Sequence, residues 1–312
     1  MVGPAASKPV PSQALMTLNA HEGGCNSVKW NSDGSYCMSG GVDKLCKLWN
    51  PNNGRLIKVY KGHSYPVSDI CVSSDNNFFA SAGLEKAIFV WDVTKDVPSR
   101  KLRGHTEQIN CVTFGAEDSI LASGSYDGTL KLWDMKAART VTPIMTLSSF
   151  QDSVTCIHIS GNQIATGCVD GYVRTFDVRM GKVLLDCILK PIVNVRVSSD
   201  RNCLVVQTLD STIRLLDRKS GELLNEYKGH ANEKYRVGSC LSCHDEWLVT
   251  GSEDAGIYIY DVVTAQVAAK LEGHRGCVTS VQYHPKVASF LSTATDGTIR
   301  LWGAPVGPEP KS

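Results

Sequence analysis

An acidic residue returns along this chain at Asp43, Glu85, Asp127, Asp170, Asp210, Asp254 and Asp296, at intervals of 42, 42, 43, 40, 44 and 42 residues. Six positions after each one stands a large side chain: Trp49, Trp91, Trp133, Phe176, Leu216, Tyr260 and Trp302. Self-similarity at this period means that one supersecondary unit is repeated and that each unit buries its apolar face against the next. Length alone would allow two domains in 312 residues, but a repeat that covers nearly the whole chain requires one continuous architecture.

The unit from 105 to 147 shows how each repeat is built. Ile109–Phe114 alternates apolar and polar residues and reads as a strand. Ser119–Gly124 is a second run and Leu130–Trp133 a third, with the tight turn Tyr126-Asp127-Gly128 between them. Thr142–Leu147 is read as a fourth. Four antiparallel strands per unit and seven units predict an all-β, seven-bladed β-propeller. After Trp302 the ten remaining residues are too proline-rich for a strand, so the seventh blade lacks its outer one. Ala14–Leu18 precedes His21 much as Arg55–Tyr60 precedes His63, and is expected to supply it and close the ring. The expected organisation is a disordered leader over 1–13, the propeller over 14–302 and a Pro-rich tail over 303–312.

Bulk properties exclude several functions. A net charge of +1 produces no strong field to attract nucleic acid or membrane. No apolar run reaches the roughly 18 residues that a bilayer span needs, and the leader has no apolar signal core. The twelve cysteines are scattered through strand-like runs, which suits free thiols in a reducing compartment. Cys240 and Cys243 form a single Cys-x-x-Cys with no companion half-site, so no metal or other cofactor is expected.

Histidines recur 22 residues before the acid at His21, His63, His105 and His274, with His230 displaced by two. A small hydroxyl residue lies four before it at Ser39, Ser81, Ser123, Thr166, Thr250 and Ser292. Ser, His and Asp together suggest a catalytic triad, but a triad is one site with an exposed nucleophile, and this set recurs around the chain. The period and the terminal Trp-Asp pairs resemble the WD-repeat family. That resemblance implies a buried hydrogen-bond chain of acid, histidine, hydroxyl and indole in each blade: His21, Ser39, Asp43 and Trp49; His63, Ser81, Glu85 and Trp91; His105, Ser123, Asp127 and Trp133; His230, Thr250 and Asp254; His274, Ser292, Asp296 and Trp302. Units four and five lack the histidine, and unit five has Val206 for the hydroxyl and Leu216 for the tryptophan, so both ends of the chain are expected to be lost together. His158, His244 and His284 fall outside the repeat and are expected on the surface of strands or loops.

In WD-repeat proteins the residue before the turn acid projects onto the top face around the central channel. Here that series is Val42, Leu84, Tyr126, Val169, Leu209, Glu253 and Thr295. The residues beginning the inner strands point there too and include Val193 and Tyr235. Val42, Leu84, Tyr126, Val169, Val193, Leu209 and Tyr235 are therefore the expected partner-binding residues, since an exposed apolar patch rimmed by polar groups marks a protein contact.

The run from Asp210 to His230, with its Leu216-Asp217 ending, together with Phe176–Gly181 and Gly62–Val67, is similar to a more particular group. These are seven-bladed WD-repeat scaffolds that organise a mitogen-activated protein kinase cascade and are also found in spliceosomes. The resemblance implies a non-catalytic adaptor with protein partners in cytoplasm and nucleus and no small-molecule substrate. No stripe of basic and aromatic residues argues for direct nucleic-acid readout. A WD-repeat subunit of another assembly, such as a ubiquitin ligase substrate receptor, stands as the alternative, with a propeller hydrolase behind it.

Overall fold

A computed structural model describes residues 10–137 and 141–304. Among these residues, twenty-eight strands form seven four-stranded antiparallel sheets. Six sheets use four strands that follow one another in the chain. In blade 3 these are Ile109–Phe114, Ile120–Ser125, Leu130–Asp134 and Met145–Leu147. The outer strand is shorter than the expected Thr142–Leu147, because Pro143 has no N–H to add to the ladder.

The seventh sheet mixes the two ends of the chain. Its inner three strands are Val278–Tyr283, Ser289–Ala294 and Thr298–Gly303, and its outer strand is Gln13–Asn19. The outer pair is antiparallel, running from Gln13 opposite Gly303 to Asn19 opposite Thr298. At the seam the N–H groups of Ala20 and His21 both donate to the Gly297 carbonyl, at 3.0 and 2.9 Å. Gly297 has φ +79°, and a Cβ there would stand 2.1 Å from the His21 carbonyl oxygen, so only glycine fits. Val10 packs on the core, Pro11 is buried and the outer strand begins at Gln13, all within the expected leader. Residues 1–9 of the expected leader and 305–312 of the expected tail lie outside the described residues.

The core consists of seven apolar clusters, each lying between two neighbouring blades. The large residue that ends each repeat packs against the blade before it. Trp133 lies among Ala80, Ile88 and Leu102 of blade 2. Trp302 lies against Val249, Ile257 and Leu271 of blade 6. Trp49 reaches Leu18, Leu291 and Ile299 across the closure seam. Phe176, Leu216 and Tyr260 fill the same position in blades 4, 5 and 6. Each such burial contributes about 1.5–3 kcal/mol, and every cluster needs both of its blades.

The acid at the head of the third strand holds a tight turn. Its carboxylate accepts the N–H two residues on, at Leu45 (3.2 Å), Thr129 (3.0 Å), Tyr172 (3.0 Å), Gly256 (3.0 Å) and Thr298 (2.9 Å). The residue between takes a positive φ even where it is not glycine: Lys44, Ser211 and Ala255 at 68°, 56° and 65°.

Candidate functional site

In four blades the turn acid sits at one end of a buried polar chain. Asp43 accepts from His21 Nδ1–H at 2.8 Å, the Ser39 hydroxyl lies 2.8 Å from His21 Nε2, and Trp49 Nε1–H donates to Ser39 Oγ at 2.9 Å. Blade 3 repeats this through Asp127, His105, Ser123 and Trp133, all links at 2.8 Å. Blade 7 does so through Asp296, His274, Ser292 and Trp302, with a longer first link of 3.3 Å. In blade 2 the longer Glu85 still reaches His63, and Ser81 and Trp91 complete the chain at 2.6 and 2.8 Å. A carboxylate only accepts, so Nδ1 carries the proton and Nε2 accepts from the serine hydroxyl. Each serine is fully buried and uses its oxygen in both directions, which leaves no exposed nucleophile in these sets.

Burial holds His21, His105 and His274 below their ordinary pKa against the opposing pull of their carboxylates, His274 at about 4. Burial also pushes Asp43, Asp127 and Asp296 up, but their hydrogen bonds more than offset it and leave them low. The relays of blades 1, 3 and 7 therefore hold a carboxylate against a neutral imidazole.

Blade 6 does not assemble its expected set. The shifted His230 turns its Nδ1 to the Tyr260 hydroxyl at 3.1 Å, and its Nε2 has no partner among the described residues. Thr250 donates to the Gly251 carbonyl at 3.0 Å. Asp254 is taken by Tyr258 Oη at 2.7 Å and Lys270 Nζ at 2.9 Å. The two extra residues carry the histidine past the carboxylate, and a tyrosine four positions after the acid replaces it.

Blades 4 and 5 also depart from the expectation that both ends vanish together. Both keep the carboxylate and supply an arginine four residues later. Arg174 lies 2.7 Å from Asp170, with both side chains nearly buried. Its guanidinium also lies 4.8 Å from the centre of the Phe150 ring. Arg214 lies 2.8 Å from Asp210. Thr166 turns its hydroxyl to the Arg174 carbonyl at 3.0 Å, and the large residue that follows, Phe176, needs no hydroxyl.

The top-face residues divide into three groups. Each turn residue is anchored through its N–H to the loop entering its own blade, as with Val42 on Gly24, Leu84 on Pro66, Tyr126 on Gln108, Val169 on Ser153 and Leu209 on Pro191. Val42, Leu84, Tyr126 and Tyr235 are 39, 45, 60 and 53 % exposed, whereas Val169 and Leu209 are half-buried. Val193, at 4 %, is buried and drops out of the expected surface. The reason is a bulge at the second residue of the inner strand, where pairing skips from Ile192 to Asn194. The equivalent bulge residues turn toward the neighbouring blade and staple it. Asn26 donates to the Val67 carbonyl at 2.7 Å, Asn110 to Val154 at 2.9 Å, Thr155 to Ile192 at 2.7 Å and Thr279 to Cys25 at 2.6 Å. In blade 6 the inner strand is only Ser239–Leu241, so Tyr235 sits in the preceding loop rather than on a strand.

That loop is held by Glu253, the turn residue of blade 6 on the top face. Glu253 accepts from the N–H groups of Glu233, Lys234 and Tyr235, at 2.8, 2.6 and 2.8 Å. The two-residue displacement of His230 was the available signal. His158 and His284, expected at the surface, are half-buried. His158 accepts the Val197 N–H at 3.0 Å, and His284 packs edge-on to Trp30 at 4.7 Å; His244 is exposed. All twelve cysteines are free thiols. Among the described residues no group of three or more His, Cys, Asp or Glu side chains is placed to hold a metal ion.

The family described as WD domain, G-beta repeat matches residues 12–50, 54–92, 96–134, 141–177, 221–261 and 265–303. The unmatched stretch contains the first three strands of blade 5, where Val206 and Leu216 replace hydroxyl and indole. The chain is 50 % identical to WD repeat domain-containing protein 83 of Rattus norvegicus over 94 % of its own length and 92 % of the relative's. It is 48 % identical to the Homo sapiens protein of that name over the same shares of the two chains. It is 34 % identical to the Dictyostelium discoideum homolog over 91 % and 96 %. Repeat spacing, blade architecture and these matches agree: the chain belongs to the WD-repeat family of β-propellers and is homologous to WD repeat domain-containing protein 83.

Proposed function

We propose that this chain is a non-catalytic scaffold that holds protein partners on the top face of its ring. The partners proposed are components of a mitogen-activated protein kinase (ERK) cascade, of the spliceosome in pre-mRNA splicing, or of both, in cytoplasm and nucleus. One observation carries the reading. Val42, Leu84, Tyr126 and Tyr235 stand exposed on a rigidly anchored rim, while the Ser, His and Asp side chains of the relay blades are committed to one another.

Burying one such side chain contributes about 1.5–3 kcal/mol, and micromolar binding needs about 8 kcal/mol. Four anchors reach that range. A scaffold of this kind raises the effective concentration of its clients without adding a catalytic group.

The test is affinity purification with mass spectrometry on the wild-type chain and on Leu84→Glu/Tyr126→Glu. The expected outcome is loss of kinase-cascade or splicing proteins from the variant with an unchanged melting temperature. Retention of every partner by a folded variant overturns the top-face site. A wild-type partner set free of both groups overturns the proposed assemblies.

A further inference from the structure

The inner strands enclose a central channel whose lower part is a chamber of about 690 Å³. Its lining includes Lys29 from blade 1, His158 from blade 4 and Arg196 from blade 5. Arg236, from the top loop of blade 6, reaches across the channel to the Asn110 carbonyl of blade 3 and forms part of the ceiling.

This lining is rich in donors and poor in free acceptors. Lys29 has no hydrogen bond or ion pair among the described residues, although it is half-buried. Arg196 spends its Nε on the Ser239 carbonyl at 3.3 Å and leaves both terminal nitrogens without a protein acceptor among the described residues. His158 accepts through Nδ1, so its neutral ring carries a proton on Nε2, which has no partner among the described residues.

The nearby carboxylates are already engaged. Asp69 accepts from Ser27 Oγ at 2.8 Å and from the N–H groups of Ile70 and Val112 at 3.0 and 3.2 Å, with Arg236 3.9 Å away. At the lower rim Asp118 and Asp245 accept from the N–H and hydroxyl of Ser74 and Ser199. Burial lowers the pKa of Lys29, Asp69 partly restores it, and Arg196 and Arg236 lower it again. Cations that face one another around a confined space repel unless an anion joins them.

We propose that the lower chamber is a binding site for a compact polyanion with clustered phosphate groups, held by Lys29, Arg196 and the Nε2–H of His158. The volume lies within the range of small-molecule sites. Lys29 and Arg196 also line the upper mouth of the channel beside Val42 and Tyr235, whereas His158 lines only the lower chamber and Leu84 and Tyr126 line neither, so the top-face variant leaves this site intact.

The experiment uses the full chain with inositol hexakisphosphate and, separately, tripolyphosphate as probes. Calorimetry should show one-to-one binding. Lys29→Gln/Arg196→Gln should weaken it by about tenfold or more, whereas Lys61→Gln/Lys136→Gln, on the exposed surface, should not. A second readout needs no variant: in the wild-type chain the probe should protect Lys29, and not Lys61, from an amine-reactive label read by mass spectrometry. Absence of binding at about millimolar probe overturns the proposal. So does equal weakening in both variants, which means an adventitious ion only, and so does unchanged labelling of Lys29.

Discussion

Blades 1 and 4 share a backbone design and surround the same carboxylate with different hydrogen-bond partners. In both, the turn acid accepts the N–H two residues on, Asp43 from Leu45 and Asp170 from Tyr172. In blade 1 the acid meets a neutral imidazole, which passes the polarity on to Ser39 and Trp49, and its second oxygen lies 3.2 Å from Lys47, four residues on. In blade 4 it meets Arg174, and the chain of polarity ends there. Blade 5 follows blade 4, and blade 6 reaches a third solution with Tyr258 and Lys270. The constant feature is thus the carboxylate of the turn. The histidine is one of several partners for it, and the hydroxyl and indole are required only where the histidine must be satisfied on its far side.

The contrast can be broken most directly at Arg174. Arg174→Leu leaves the almost fully buried Asp170 without its cation, which should cost about 3–5 kcal/mol in chemical denaturation. Adding Asp170→Asn should restore much of that loss; a single variant as stable as wild type would show that the pair does not replace the relay. Next in size is Ser123→Ala in blade 3. It orphans both His105 Nε2 and the Trp133 N–H, each of which costs roughly 1–3 kcal/mol when left buried and unpaired. The matching Thr166→Ala in blade 4 gives up one bond to a carbonyl and should cost only about 1 kcal/mol. Equal losses in the two variants would erase the distinction between the blades.

The smallest expected effect is set by pH. His21, His105 and His274 are held below the unfolded value of about 6.5. The unfolded chain therefore takes up protons first. The stability these histidines contribute is complete above that value and is lost as pH falls through it toward the folded value, about 4 for His274. Asp210, also held low, is paired with an arginine that does not titrate in this range, so its contribution persists until pH falls below the unfolded value of about 4. Hydrogen exchange at pH 7 and pH 5, corrected for intrinsic rates, should show blades 1, 3 and 7 losing protection. The third and outer strands of blade 5, Thr212–Asp217 and Leu223–Lys228, should change little. Uniform loss around the ring would contradict the assignment of partners.

Much of this was legible in the residues, and the misses have local causes. The period and the terminal large residue predicted blades and their number because a side chain that ends one sheet must be buried by the next. Closure was legible because the run at Ala14–Leu18 matches the outer-strand position. The arginine solution was hidden because Arg174 and Arg214 look like ordinary solvent-facing residues of a third strand until Asp170 and Asp210 are seen beside them. A one-residue bulge, invisible in the alternation, rotates Val193 off the surface. Spacing alone points His230 to a relay, but with two extra residues its Nδ1 meets the Tyr260 hydroxyl and not the turn acid.

The chain by itself determined a ring of repeated sheets, since a fixed interval between turn acids and core-filling residues allows few other ways to bury those residues. Tertiary structure alone decided which group satisfies each acid, which rim residues stay exposed, and that Lys29, His158 and Arg196 share one chamber. The chamber depends on side chains of different blades facing one channel, and each acid's partner on which side chains of its own blade turn toward it in three dimensions; neither is fixed by the spacing of residues along one strand.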